Sequence, residues 1–131
     1  MASPKVYDAP KFVPPAYLYR CELDRVIDGD TVDLNIDLGF KTWVFKRIRL
    51  IGINTAELRG GTDETKAHAR VAKSRVEELY AQADECFVQT HMDAEGKYGR
   101  TLGWLYTLKD EKITNINILL MEEDLAEESA Y

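Results

Sequence analysis

The sequence predicts an α+β domain in which five strands curl into a small barrel and two helices pack on it. Three observations lead there. Val32, Leu34, Ile36 and Leu38 alternate with Asp33, Asn35 and Asp37, the period of a strand with one wet face. Strand-like segments flank that run on both sides with short connections, which suggests an antiparallel meander. One long stretch, from Thr62 to about Ala83, instead repeats small and apolar residues at helical spacing.

Taken in order, residues 1–16 hold all four prolines, Pro4, Pro10, Pro14 and Pro15, and read as an extended arm. Residues 17–131 read as the folded domain. Residues 17–28 form a first strand, ended by the turn signal Asp28-Gly29-Asp30. The alternating second strand is followed by Gly39, which can turn the chain back. Residues 42–53 make a third strand, rich in β-branched and aromatic residues. After the loop 58–62, Thr62 can cap a helix whose first turn holds Asp63 and Glu64, both favoured by the helix dipole. Its apolar face is Ala69, Ala72, Val76, Leu79, Tyr80 and Ala83. Residues 85–92 form a fourth strand, 93–96 a turn, and 98–108 a fifth strand. A short helix runs from Asn115 to about Leu125. The order β-β-β-α-β-β-α is that of an OB-fold barrel, an architecture that hosts many functions.

The chain has 131 residues, 45% apolar and 31% charged, which suits one globular domain. No stretch is long and apolar enough to cross a bilayer, so no membrane association is expected. The first residues lack a basic patch followed by an apolar run, so the expected location is the cytoplasm. Cys21 and Cys86 are expected as reduced, mostly buried thiols, with a single bridge left open. The net charge of −6 weighs against a general nucleic-acid binder. However, residues 122–131 carry five acids and no base; without them 18 acidic residues face 17 basic ones, and the body is near neutral. That acidic tail is expected to be a solvated face.

Four pieces carry chemistry: Asp28-Gly29-Asp30-Thr31 at a turn, the run from Arg49 through Asn54-Thr55-Ala56-Glu57, Lys97-Tyr98-Gly99-Arg100, and Asn117 in the last helix. Each has a plainer use alone. The first can be a capped turn, Arg49 a surface charge, Glu57 a partner for Arg59, and Gly99 a bulge. Asn117 is read as structural and His68 as lying on the helix surface. The two tryptophans are read as barrel packing.

Together, in this order, these motifs resemble the staphylococcal nuclease family of calcium-dependent OB-fold nucleases, over nearly all of the chain beyond the arm. The run Asp37-Leu-Gly-Phe40 resembles its phage and bacterial branch, so a bacterial or phage-encoded protein is expected. The resemblance implies that Asp30, Asn54 and the Thr55 carbonyl hold Ca²⁺, with Asn54 where an aspartate is usual. It implies that Arg49 and Arg100 bind phosphate, and that Glu57 lies near the attacking water. Tyr98 and Lys97 would contact the nucleotide, and Tyr131 lies near a tyrosine position that packs against it. Ala56 stands where proline is common. DNA and RNA are the implied substrates, cut with little sequence preference to leave 3′-phosphates, and the protein is expected to be a monomer.

The residue chemistry agrees with those roles. Hard cations take carboxylate, amide and carbonyl oxygens. Two guanidinium groups suit the oxygens of a charged phosphorus centre. A glutamate can orient or deprotonate water. Two other expectations compete: a non-catalytic OB module for single-stranded nucleic acid, and a protein-interaction domain using the acidic tail and the proline-containing arm.

Overall fold

The computed structural model describes residues 16–92 and 101–129. The arm expected over residues 1–16 lies outside them except for Ala16, as do the turn 93–96 and Lys97, Tyr98, Arg100 and Tyr131. The described elements are β1 (Leu18–Asp28), β2 (Thr31–Asp37), β3 (Trp43–Leu50), β4 (Ile53–Asn54), α1 (Asp63–Gln82), β5 (Glu85–Met92), β6 (Thr101–Lys109), β7 (Lys112–Asn115), α2 (Ile116–Glu122) and β8 (Glu127–Glu128).

Strands β3, β2, β1, β5 and β6 pair antiparallel in that spatial order, and β3 then pairs parallel with β6. The five strands therefore close into a barrel. Closure needs a close approach, and Gly103 allows it. A Cβ there would stand 2.7 Å from Ile48 Cγ2 and 3.0 Å from Val88 Cγ2. Strand β1 pairs with β5 through its first half and with β2 through the rest, and two register irregularities, at Leu23/Arg25 and Val26/Asp28, bend it around the barrel. The interior is filled by Val26, Val32, Leu34, Ile36, Ile48, Leu50, Val88 and Leu105, with Val76 of α1 and Ile116 and Leu120 of α2 closing the ends.

Helix α1 starts where its local signals place it. Thr62 and Thr65 form a reciprocal capping box, and Ala69, Ala72, Val76 and Tyr80 are its buried face. His68 is exposed, as expected. Asn117 is fully buried and ties α2 to the barrel seam: its Oδ1 accepts from Leu105 N at 3.1 Å, while Nδ2 donates to the carbonyls of Ile51 at 2.9 Å and Gly103 at 3.1 Å.

Several details differ from the sequence expectations. The third strand ends at Leu50 rather than 53, because Gly52 takes a positive φ of 79° and starts the separate strand β4. The fifth strand turns back through Asp110 and Glu111, both at positive φ, into β7. The last helix stops at Glu122, not Leu125; Asp124 is left-handed and the chain then forms β8 against β4. Trp43 is 50% exposed on the outside of β3 rather than packed in the barrel. The tail acids are exposed, but Glu123 is not idle: it takes a two-pronged hydrogen bond from Arg75 at 2.7 and 2.8 Å, joining the end of α2 to α1. Cys21 and Cys86 are free thiols and stand opposite each other across β1 and β5.

Candidate active site

The turn between β1 and β2 brings Asp30 against the end of β3 and the chain just after β4. Its neighbour Gly29 sits where no side chain fits: a Cβ would lie 2.8 Å from Ala72 Cβ and 2.9 Å from Thr55 Cγ2. The turn can thus press onto α1 and onto Thr55. Asp30 is buried and its carboxylate is held from several sides. Oδ1 accepts from Thr31 Oγ1 at 2.9 Å, and Oδ2 accepts from Thr55 N at 2.9 Å. The main-chain carbonyl of Asp30 accepts from Leu50 N at 2.8 Å, which fixes the turn to β3.

Arg49, near the end of β3, is also buried. Its Nη1 lies 3.3 Å from Asp30 Oδ2 and donates to the carbonyls of Asp30 and Leu50, each at 3.3 Å. Its Nη2 donates to Oδ1 of Asn54. One guanidinium therefore spans the carboxylate and the amide. Asn54 in turn is positioned by backbone pairing with Glu127 of β8. Asp30, Arg49, Asn54 and Thr55 are brought together at one end of the barrel.

Glu57 is exposed on the loop that follows, and it faces a different opening. A groove of about 610 Å³ runs past it, lined also by Arg25, Arg47, Arg59 and Lys73. The loop is tied down by Leu58 N, which donates to Asp28 Oδ1 at 3.3 Å. Asp28 thus belongs to the site's framework, and the sequence reading gave it no role beyond the turn. The signal was present, because the Asp-Gly-Asp motif offers two carboxylates. Glu127 was missed as well, since nothing local announces its pairing with Asn54. Lys97, Tyr98 and Arg100 lie outside the described residues. Thr101, which follows them, pairs with Ile48, one residue before Arg49.

The donors fit a hard cation in kind. Asp30 offers a carboxylate, Asn54 an amide oxygen and Thr55 a main-chain carbonyl. Thr55 also has a buried Oγ1 with no hydrogen-bond partner among the described residues. The negative charge is modest: among the described residues there is no cluster of three or more His, Cys, Asp or Glu able to hold a metal.

Two comparisons bear on this arrangement. A family model described as "Staphylococcal nuclease homologue" matches residues 47–131. The chain is also similar to the micrococcal nuclease of Shigella flexneri, 28% identical over 113 residues. That match takes in 82% of this chain and 57% of the relative, so the chain spans little more than half of the relative's length.

Proposed function

The chain belongs to the staphylococcal nuclease homologues, and from that premise we propose that it is a Ca²⁺-dependent nuclease hydrolysing phosphodiesters of DNA and RNA with little sequence preference. The observation that carries this reading is the buried Arg49 guanidinium, set between Asp30 and Asn54 at the mouth of the barrel. A fixed guanidinium beside oxygen donors of the kind a hard cation takes suits a phosphate better than a neutral ligand.

Asp30, Asn54 and the Thr55 carbonyl would hold the Ca²⁺, which when bound would polarise the phosphate and neutralise charge upon it. Asn54 Oδ1 has two lone pairs, so accepting from Arg49 leaves it one to offer. Glu57, exposed on the loop that follows Thr55, would reach over the site when substrate is bound and orient the water that attacks phosphorus or take its proton. The bond from phosphorus to the 5′-oxygen would break, that oxygen taking a proton from solvent, and the phosphate would remain on the 3′ side. Arg49, with Arg100, neutralises the negative charge that builds on the phosphoryl oxygens. Lys97 and Tyr98 would contact the nucleotide. Nothing in this set reads a base edge, which agrees with weak sequence preference.

The test is cleavage of single-stranded DNA with Ca²⁺ and with EDTA, by the wild type and by Arg49→Ala, Glu57→Ala and Arg100→Ala. Cleavage that needs Ca²⁺ and falls by about a hundredfold or more in each variant is the expected result. DNA binding without cleavage would leave a non-catalytic OB module. Neither binding nor cleavage would remove the nucleic-acid reading.

A further inference from the structure

An apolar surface lies outside the barrel, where β1, β5, β6 and β7 run side by side. Val88 and Leu105 are buried in the core, so by alternation Phe87, Gln89 and Tyr106 point outward. With Leu18 and Ile113 they line a groove of about 250 Å³. Leu18 is 43% exposed and Ile113 is 68% exposed. Among the described residues the walls include one amide, Gln89, and no carboxylate, guanidinium or ammonium group. Arg20, opposite Phe87 on the same face, stands 3.6 Å from Glu85 and pairs with it. The surface is therefore close to neutral and suits an uncharged, apolar occupant.

The main chain reaches β1 at the mouth of this groove. Tyr17 takes a positive φ of 63°, so the chain turns there instead of running on along the line of β1. The Tyr17 carbonyl still accepts from Thr90 N at 3.0 Å, in line with the β5 ladder. One residue earlier the partner changes: the Ala16 carbonyl accepts from the Gln89 side chain, Nε2, at 3.4 Å. Gln89 is a wall of the groove, so at Ala16 the main chain stands on the groove's side of the sheet.

Immediately before Ala16 the sequence reads Phe12-Val13-Pro14-Pro15, four apolar residues without a charge. We propose that residues 12–15 of this same chain occupy the groove and strap β1 to β6 and β7. Pro14 and Pro15 have no N–H to give to a sheet edge, which argues against a further strand and for packing on the face. Their fixed φ, and their effect on Val13, favour the polyproline conformation, whose rings pack on aromatic side chains, here Phe87 and Tyr106. The reach fits. Four residues in that conformation span about 12 Å. Crossing from β1 to β7 takes three strand spacings, about 14 Å. Phe12 thus falls beside Tyr106 and Ile113 at the far wall, and the charge of Lys11 lies past the groove in solvent. The strap concerns a face apart from the candidate active site and stands whether or not the chain is a nuclease.

Trypsin tests the strap, because cleavage after Lys11 requires the neighbouring residues to leave the surface. The full chain is treated at low protease concentration, and the cut after Lys11 is followed by mass spectrometry. Leu18→Ser and Ile113→Ser each replace an exposed apolar wall and leave the sequence around Lys11 unchanged. Each should be cut at least about fivefold faster than the wild type. Val71→Ser, which alters an exposed apolar residue of α1, should be cut at the wild-type rate. Equal rates in the wild type and both groove variants, or the same acceleration in Val71→Ser, overturn the strap. In the wild type, a nuclear Overhauser contact between the Phe12 ring and the Ile113 methyl groups is expected, and its absence overturns the strap as well. Protection of Lys11 that strengthens with protein concentration would put the segment of a second copy in the groove, against the intramolecular strap.

Discussion

The Asn54 side-chain oxygen accepts a hydrogen bond from Arg49 Nη2, so the amide that stands at the proposed cation site is already engaged by a guanidinium. Replacing it with a carboxylate, Asn54→Asp, adds a full negative charge. That charge attracts both the arginine and an incoming cation, but the cation is divalent and gains more. Asn54→Asp should therefore bind Ca²⁺ about tenfold more tightly than the wild type in a calorimetric titration. Equal or weaker binding would mean that Arg49 alone uses this oxygen.

Gly29 makes room for the turn that carries Asp30. In Gly29→Ala the new methyl would collide with Ala72 Cβ at 2.8 Å and with Thr55 Cγ2 at 2.9 Å, neither of which is the far end of a flexible side chain. The turn must move off α1, at a cost of about 1–3 kcal/mol in urea unfolding. Activity should fall further than stability explains, because the same movement pulls Asp30 away from Thr55 N. Adding Ala72→Gly should restore part of the stability and not all of it, since the Thr55 contact persists. Unchanged unfolding in Gly29→Ala would show that the turn has slack.

Much of this was legible in the sequence, and the rest was hidden for physical reasons. Strand β2 was plain because Asp33, Asn35 and Asp37 mark its outer face, and α1 was plain because Thr62 and the acids after it are local signals. Strand β8 was hidden, because Glu127 and Glu128 take an extended form only by pairing with Ile53 and Asn54 far back in the chain. The orientation of β3 was ambiguous. Trp43 and Phe45 are as apolar as Val44 between them, so pattern alone does not say which row faces inward. In the site, Asp30, Arg49, Asn54 and Thr55 could be picked out because each lies in a motif. The bond from Leu58 N to Asp28 that holds the Glu57 loop depends on the folded turn and has no counterpart in spacing.

Asn117 satisfies three buried main-chain groups at once, an N–H of Leu105 and the carbonyls of Ile51 and Gly103. Asn117→Ala leaves all three without their partner and should cost about 3 kcal/mol in denaturant unfolding. Asn117→Asp is the sharper test. It keeps the size and the acceptor but loses the N–H donors, so two carbonyls would face a carboxylate. It should cost at least as much as Asn117→Ala. A near-neutral Asn117→Asp would show that the carbonyls are satisfied elsewhere.

The core predicts how stability responds to alkali. Burial pushes the Cys21 thiol from 9.0 up to about 12, with Cys86 and Glu22 adding to it, and burial raises Cys86 from 9.0 to about 11. Tyr80, buried beside them, is raised well above its ordinary value by desolvation. For each group the folded chain holds its proton more tightly than the unfolded chain does. Below about pH 9 both states are protonated and the contribution is complete. Above it the unfolded chain releases protons that the folded chain keeps, so stability falls until the folded thiols also titrate, near 11 for Cys86 and 12 for Cys21. Urea midpoints of the wild type should therefore decline between about pH 9 and 11, and a Cys21→Ala/Cys86→Ala variant should decline less over the same interval. At about pH 8 the folded wild-type thiols should alkylate far more slowly than the same thiols in urea, because almost no thiolate is present. Parallel pH profiles for the two proteins, or rapid alkylation of the folded chain, would overturn this account.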